Sequence, residues 1–166
     1  EEGVVLLEKV SLKGYVLPPH NNWVSFVLEE YQYEQLNKDL IMANKGLLVH
    51  YTFSEDSDWT ISVYKGSQRV MHYSCSWEDG IAINDEELNL DIVKDLAAVE
   101  VSDGELQALF YPEDEDTLFD SPPAYRIAEI LGLGHYSWFG YNYVKDLIET
   151  GETEKDISLE NIIAVG

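Results

Sequence analysis

The chain predicts an α+β fold, and three observations carry that expectation. Residues 47–77 contain three runs rich in alternating, β-branched and aromatic residues, divided by turn-forming segments, which is the pattern of an antiparallel meander. After residue 78 the strand signals weaken, and helix start and stop signals take their place. At 166 residues and 45% hydrophobic, the chain can bury one sizeable core. A single domain over 1–166 is expected, strand-rich over 1–77 and helix-rich and acidic over 78–166. Its mainly antiparallel sheet would be packed by a helix from 33–45 and by helices of the second half.

Taken in order, Val4 to Leu7 and Tyr15 to Leu17 are short apolar runs, and Pro18-Pro19 closes the second; both read as N-terminal edge strands. Trp23 to Leu28 is apolar on both faces apart from Ser25 and reads as a central, buried strand. Between 33 and 45, Leu36, Leu40, Ile41 and Ala43 recur at helical spacing, and Gly46 is positioned to end the helix in a left-handed conformation. The meander strands are expected at 47–53, 59–65 and 69–77, with turns at 54–58 and Gly66-Ser67. Trp59, Ile61 and Val63 share one face, as do Met71, Tyr73, Cys75 and Trp77. That face should meet helices, and the opposite one water.

In the second half, Ile92, Val93 and Leu96 suggest a helix ending near Ala98. Ser102-x-x-Glu105 before Leu106, Leu109 and Phe110 matches a capping box. Ser121-Pro122 places an N-cap beside a proline, and Gly132 stops the helix that carries Ile127, Ile130 and Leu131. A last helix is expected over 143–150 with Gly151 as its stop, and Ile162-Ile163 suits a short final element.

Charge narrows function further. Residues 1–77 hold 10 acidic and 6 basic residues, and residues 78–166 hold 22 and 4. No Lys/Arg cluster exists to bind nucleic acid or an anionic membrane surface, whereas a cationic partner would be steered in. Twenty aromatic residues (four Trp, eleven Tyr, five Phe) separate this chain from disordered acidic tails. The single cysteine, Cys75, forms no internal disulfide, and no apolar run reaches the length of a membrane span. The chain starts Glu1-Glu2-Gly3, without signal-peptide features. A cytoplasmic setting is expected.

Chemistry-bearing motifs are few. Glu113 to Asp116 and Asp120 form the densest carboxylate cluster, and Asp114, Asp116 and Asp120 are the candidate ligands for a divalent cation. The spacing does not match a calcium loop, and a solvated acidic loop partly serving a helix N-terminus accounts for the same residues. Cys75 and His72 are three apart on a strand and so point to opposite faces. His20, His50, His72 and His135 lack zinc-ligand spacing, no Gly-x-Ser-x-Gly elbow occurs, and Gly132-Leu133-Gly134 follows a helix rather than a strand. No cofactor is indicated. Tyr136, Trp138, Phe139, Tyr141 and Tyr143 form the densest aromatic stretch. Core packing explains most of it, while exposed members would suit a cationic partner.

Two stretches carry a resemblance: 55–59 leading through Tyr64-Lys65-Gly66 to Tyr73, and 128–133 leading to Gly140-Tyr141-Asn142-Tyr143. Their order resembles small acidic bacterial cytosolic proteins to which no activity is attached. The resemblance implies a bacterial source and a small α+β domain, and transfers no functional residue. Size and charge alone offer an analogy to toxin-neutralising immunity proteins. The expected function is a noncatalytic module that engages a basic protein through its acidic half, with Tyr136, Trp138, Tyr141, Tyr143, Glu113 and Glu115 as candidate contacts. The alternatives are a carboxylate-based metal-binding domain or metal-dependent enzyme, and charge that serves solubility alone. Oligomeric state is not encoded in any of these signals.

Overall fold

The computed structural model describes residues 2–30, 35–134, 136, 139–151 and 160–166. It is an α+β fold with two antiparallel sheets, one of them the four-stranded meander. The chain divides into two compact units: Glu1–Ala43 with Leu133–Gly166, and Asn44–Gly132. The change of composition at Trp77 falls inside the second unit and marks no boundary.

The first unit begins with a correction. Val4 to Leu7, expected as an edge strand, lie within helix α1 (Glu2–Lys9). A four-residue apolar run does not itself distinguish helix from strand. The deciding features are Glu2 in the first turn and Lys9 in the last, which complement the helix dipole, and the burial of Gly3 and Leu7 four residues apart.

The small sheet has the order β2-β1-β7, from β1 (Gly14–Val16), β2 (Phe26–Leu28) and β7 (Ile163–Val165). The strand expected to be central over 23–28 is thus shorter and lies at an edge, with only Val27 buried, and β1 takes the centre. Beyond the β1–β2 ladder, His20 and Trp23 exchange both backbone hydrogen bonds, at 2.9 and 2.8 Å. Asn21 and Asn22 both have positive φ, 45° and 65°, the conformation that a twist-matched two-residue hairpin needs. At Gly14 the partner strand leaves no room for a side chain, since an added Cβ would collide with the carbonyl oxygen of Val27.

Helix α2 (Lys38–Ala43) is shorter than the expected 33–45, of which 33 and 34 lie outside the described residues. Asn37 starts it, its side chain accepting from the N–H groups of Asp39 (2.9 Å) and Leu40 (3.2 Å). Gly46 is not its left-handed stop, because its φ is not positive. Helix α2 belongs to the first unit, where it packs against α1. Helix α7 (Tyr141–Thr150) packs on β1 and ends at Gly151 with φ 69°, as its sequence predicts.

The second unit holds the meander, with the order β3-β4-β5-β6. Strands β3 (Leu47–Ser54), β4 (Asp58–Lys65) and β5 (Gln68–Ser76) match expectation, with Gly66 left-handed in the tight turn. Strand β6 (Ala82–Glu87) has no counterpart among the expected strands, since AINDEE offers a single large apolar residue, Ile83, to mark it. Four helices follow: α3 (Leu90–Leu96), α4 (Asp103–Phe110), α5 (Glu115–Asp120) and α6 (Pro123–Leu131). Ser102 Oγ accepts from the Glu105 N–H at 3.1 Å, the first half of the expected capping box, while the Glu105 carboxylate accepts from Arg126 instead, and Gly132 ends α6 with φ 70°. The cap of α6 is Pro122 rather than Ser121, with Pro123 opening the helix.

Trp59, Ile61, Val63, Met71, Tyr73 and Cys75 are all buried on the helix-facing side of the sheet. Trp59, Tyr73 and Phe110 form an aromatic triangle with centroid separations of 4.8, 4.8 and 5.7 Å. The Tyr73 hydroxyl donates to the Phe110 carbonyl at 2.7 Å, tying β5 to the end of α4. The other sheet face is not simply open to water: Leu48, Ser62 and Tyr64 on it are buried as well.

Gly14→Ala is expected to lower the urea-unfolding midpoint, by about 1–3 kcal/mol of stability, because the obstructing atom belongs to backbone. Gly46→Ala, where an added Cβ meets nothing within 4 Å, should stay within about 0.5 kcal/mol of the parent in the same measurement.

Candidate binding surface

An aromatic run crosses one end of the second unit. Phe53 ends the helix-facing row of β3, and Trp77 directly follows β5. The Trp77 N–H donates to the Ser57 carbonyl at 2.8 Å, which fixes it against the turn between β3 and β4. Tyr125 of α6 meets Phe53 edge-on at 4.9 Å, Phe53 lies 6.4 Å from Trp77, and Phe119 of α5 meets Trp77 edge-on at 6.4 Å. Leu118, buried beneath, anchors α5 and leaves its neighbour Phe119 turned outward. Trp77 is 5% exposed, so it is a support, whereas Phe119 at 55% is available for contact.

Carboxylates accompany this run. The Tyr125 hydroxyl donates to Glu55 at 3.4 Å, and burial together with Glu55 pushes the Tyr125 phenol up. Asp58 opens β4, and its carboxyl is held above the usual range by burial first and by the nearby Glu78 charge second. Asp120 follows Phe119 in the chain and is exposed. Three of the five cations of this unit are held in ion pairs elsewhere. Arg69 makes a two-pronged bond to Glu87 (2.9 and 2.7 Å), Lys94 pairs with Asp103 and Asp91, and Arg126 pairs with Glu105 and Glu129. The remaining two, Lys45 and Lys65, sit at the far end of the β3–β4 hairpin, where Leu47 pairs with Lys65. Seven strand steps separate that end from the Ser54–Asp58 turn, roughly 23 Å. Among the described residues, no ion pair reaches Glu55, Glu78 or Asp120.

The residues singled out by sequence separate into two groups. Glu113, Asp114, Glu115, Asp116 and Asp120 belong to the second unit and are exposed on or beside α5, while Tyr136, Tyr141 and Tyr143 belong to the first. Those three tyrosines are half-buried, and Trp138 and His135 lie outside the described residues. Tyr141 stacks on Tyr15 at 5.1 Å and donates to Glu29 at 3.4 Å, a structural use of its ring. Asp114 is the N-cap of α5, one oxygen accepting from both the N–H and the hydroxyl of Thr117 at 2.8 Å, which holds its carboxyl below the ordinary range. Asp116 and Asp120 lie one helical turn apart in α5. Among the described residues, no three His, Cys, Asp or Glu side chains gather in a way that could hold a metal ion.

A second polar constellation was invisible in the sequence. The strand registers place His50, Ser62, His72 and Glu87 in one row across all four strands. Ser62 Oγ lies 2.8 Å from His72 Nδ1, the spacing of a nucleophile and its base. Ser62 is only 3% exposed, however, so the pair works as a satisfied buried hydrogen bond rather than an accessible nucleophile. Cys75, buried on the opposite face, has its thiol pushed up mainly by burial and is likewise no nucleophile. No helix among the described residues is long and apolar enough to cross a membrane. No protein-family model matches this chain, and neither does any curated protein or solved structure.

Burial and the neighbouring Arg69 hold the His72 imidazole below its ordinary range, with Glu87 opposing them. The unfolded chain therefore takes up this proton at a higher pH than the folded one, so stability is lost as pH falls below about 6.5 toward the folded value. Chemical denaturation at pH 7.5 and 5.5 should show a lower midpoint at the acidic value, and His72→Gln should flatten that dependence.

Proposed function

We propose that this protein is a noncatalytic binding module that engages a basic protein through the acidic surface of its second unit. The observation that carries this reading is the state of the charges over 44–132. Nineteen acidic residues face five basic ones there, all the acidic ones except Asp58 and Glu105 are exposed, and three of the five cations are held in internal ion pairs. A partner therefore meets a field of one sign, which accelerates the approach of a cationic surface and repels nucleic acid. Glu113, Glu115, Asp116 and Asp120 on and beside α5 contribute to that field next to the exposed Phe119. A buried lone cysteine accords with a reducing, cytoplasmic setting.

The test is kinetic. A partner isolated from the source cells should associate at a rate that falls at least about tenfold between 50 and 500 mM salt, as screening shortens the reach of the field. Replacing Glu113, Glu115, Asp116 and Asp120 by their amides should slow association several-fold at low salt, on the order of the steering effect, without moving the unfolding midpoint appreciably. Rates indifferent to both changes would remove the steering claim and leave solubility as the role of the charge.

A further inference from the structure

We infer that the aromatic run at the turn end of the meander, Phe119, Trp77, Phe53 and Tyr125, is a seat for an arginine side chain of the partner. This inference rests on the acidic-module reading above and names the chemistry recognised at one place in it. Three observations converge there. Phe119 presents 55% of its surface, although Trp77 behind it is buried and Leu118 beside it fills the core. Glu55 accepts from the Tyr125 hydroxyl, Glu78 and Asp120 directly follow Trp77 and Phe119 in the chain, and no ion pair among the described residues neutralises the three. The two cations of this unit that form no ion pair among the described residues, Lys45 and Lys65, are confined to the opposite end of the hairpin.

The chemistry of these groups selects among cations. An ammonium is a compact, strongly hydrated charge that gains most from carboxylates alone. A guanidinium is planar and more weakly hydrated, so it can lie on an aromatic face and still direct its N–H groups to a carboxylate at the side. An exposed ring beside unneutralised carboxylates therefore favours arginine over lysine at equal charge. Carboxylates without the ring would not discriminate.

The experiment compares blocked hexa-arginine and hexa-lysine peptides by calorimetry against the full chain at 50 and 300 mM salt. Hexa-arginine is expected to bind about fivefold more tightly, the excess persisting at the higher salt, where the shared Coulomb contribution is screened. Phe119→Ala and Phe119→Leu should both reduce the ratio to about one while leaving the hexa-lysine affinity unchanged; the leucine variant keeps apolar bulk and removes only the ring. Equal binding of the two peptides by the parent protein, or a preference that survives both substitutions, would overturn the arginine seat while leaving the acidic-module reading intact. Failure of both peptides to bind even at 50 mM salt would overturn that reading along with it.

Discussion

The second unit depends on the place where Tyr73 meets Phe110. Phe110 is the last residue of α4, and its carbonyl is one of the groups that a helix end leaves without an intrahelical partner. The last turn of α4 has no basic side chain to offer it, and the Tyr73 hydroxyl fills that role from the sheet. Burial pushes the Tyr73 phenol far above its ordinary range, which keeps the hydroxyl protonated and able to donate. With Trp59 closing the triangle, one contact joins the central strands to α4, and the Arg126 bond to Glu105 then joins α6 to α4. Tyr125, at one end of the aromatic run, is carried on that same helix α6, which buries Ile127, Ala128, Ile130 and Leu131.

The same unit must fold against its own charge. Carboxylates outnumber cations nearly fourfold over 44–132, and crowding like charges on a compact body opposes compaction. Three of the five cations join one element to another: Arg69 ties β5 to β6, Lys94 ties α3 to α4, and Arg126 ties α4 to α6. Surface pairs of this kind are each worth little, at most about 1 kcal/mol. Their placement matters more than their strength, because it leaves the turn end of the meander uniformly negative.

What was legible in the chain is what is written locally. Ser102 and Glu105, Gly66, Gly132 and Gly151 each encode a cap or turn in a few residues, and the alternation in β4 and β5 encodes which face is buried. Local sequence is silent where a decision is made at long range. Val4 to Leu7 look alike as helix or strand, and AINDEE becomes a strand only because β5 offers it an edge. Asn21-Asn22, by contrast, writes its turn in two residues that both accept positive φ. For the site, the carboxylates of α5 were visible, but Phe53, Trp77, Phe119 and Tyr125 come from four separate segments of chain. No spacing rule gathers them, whereas aromatic density along the chain marks 136–143, where Tyr141 is occupied by Tyr15.

The edge strand β6 has a bearing on how copies of this chain behave toward one another. An exposed edge is a template on which a like sheet can grow, and Asp85, Glu86 and Glu87 occupy this one. The Glu86 N–H is directed to the side chain of Asn84 at 3.4 Å, which takes a backbone donor out of circulation. A second copy laying its own β6 alongside would bring Asp85 and Glu86 of each copy together, since of the three only Glu87 is neutralised among the described residues, by Arg69. Self-templated sheet extension is thereby discouraged along this edge even at high protein concentration, while a strand of opposite charge would meet no such barrier.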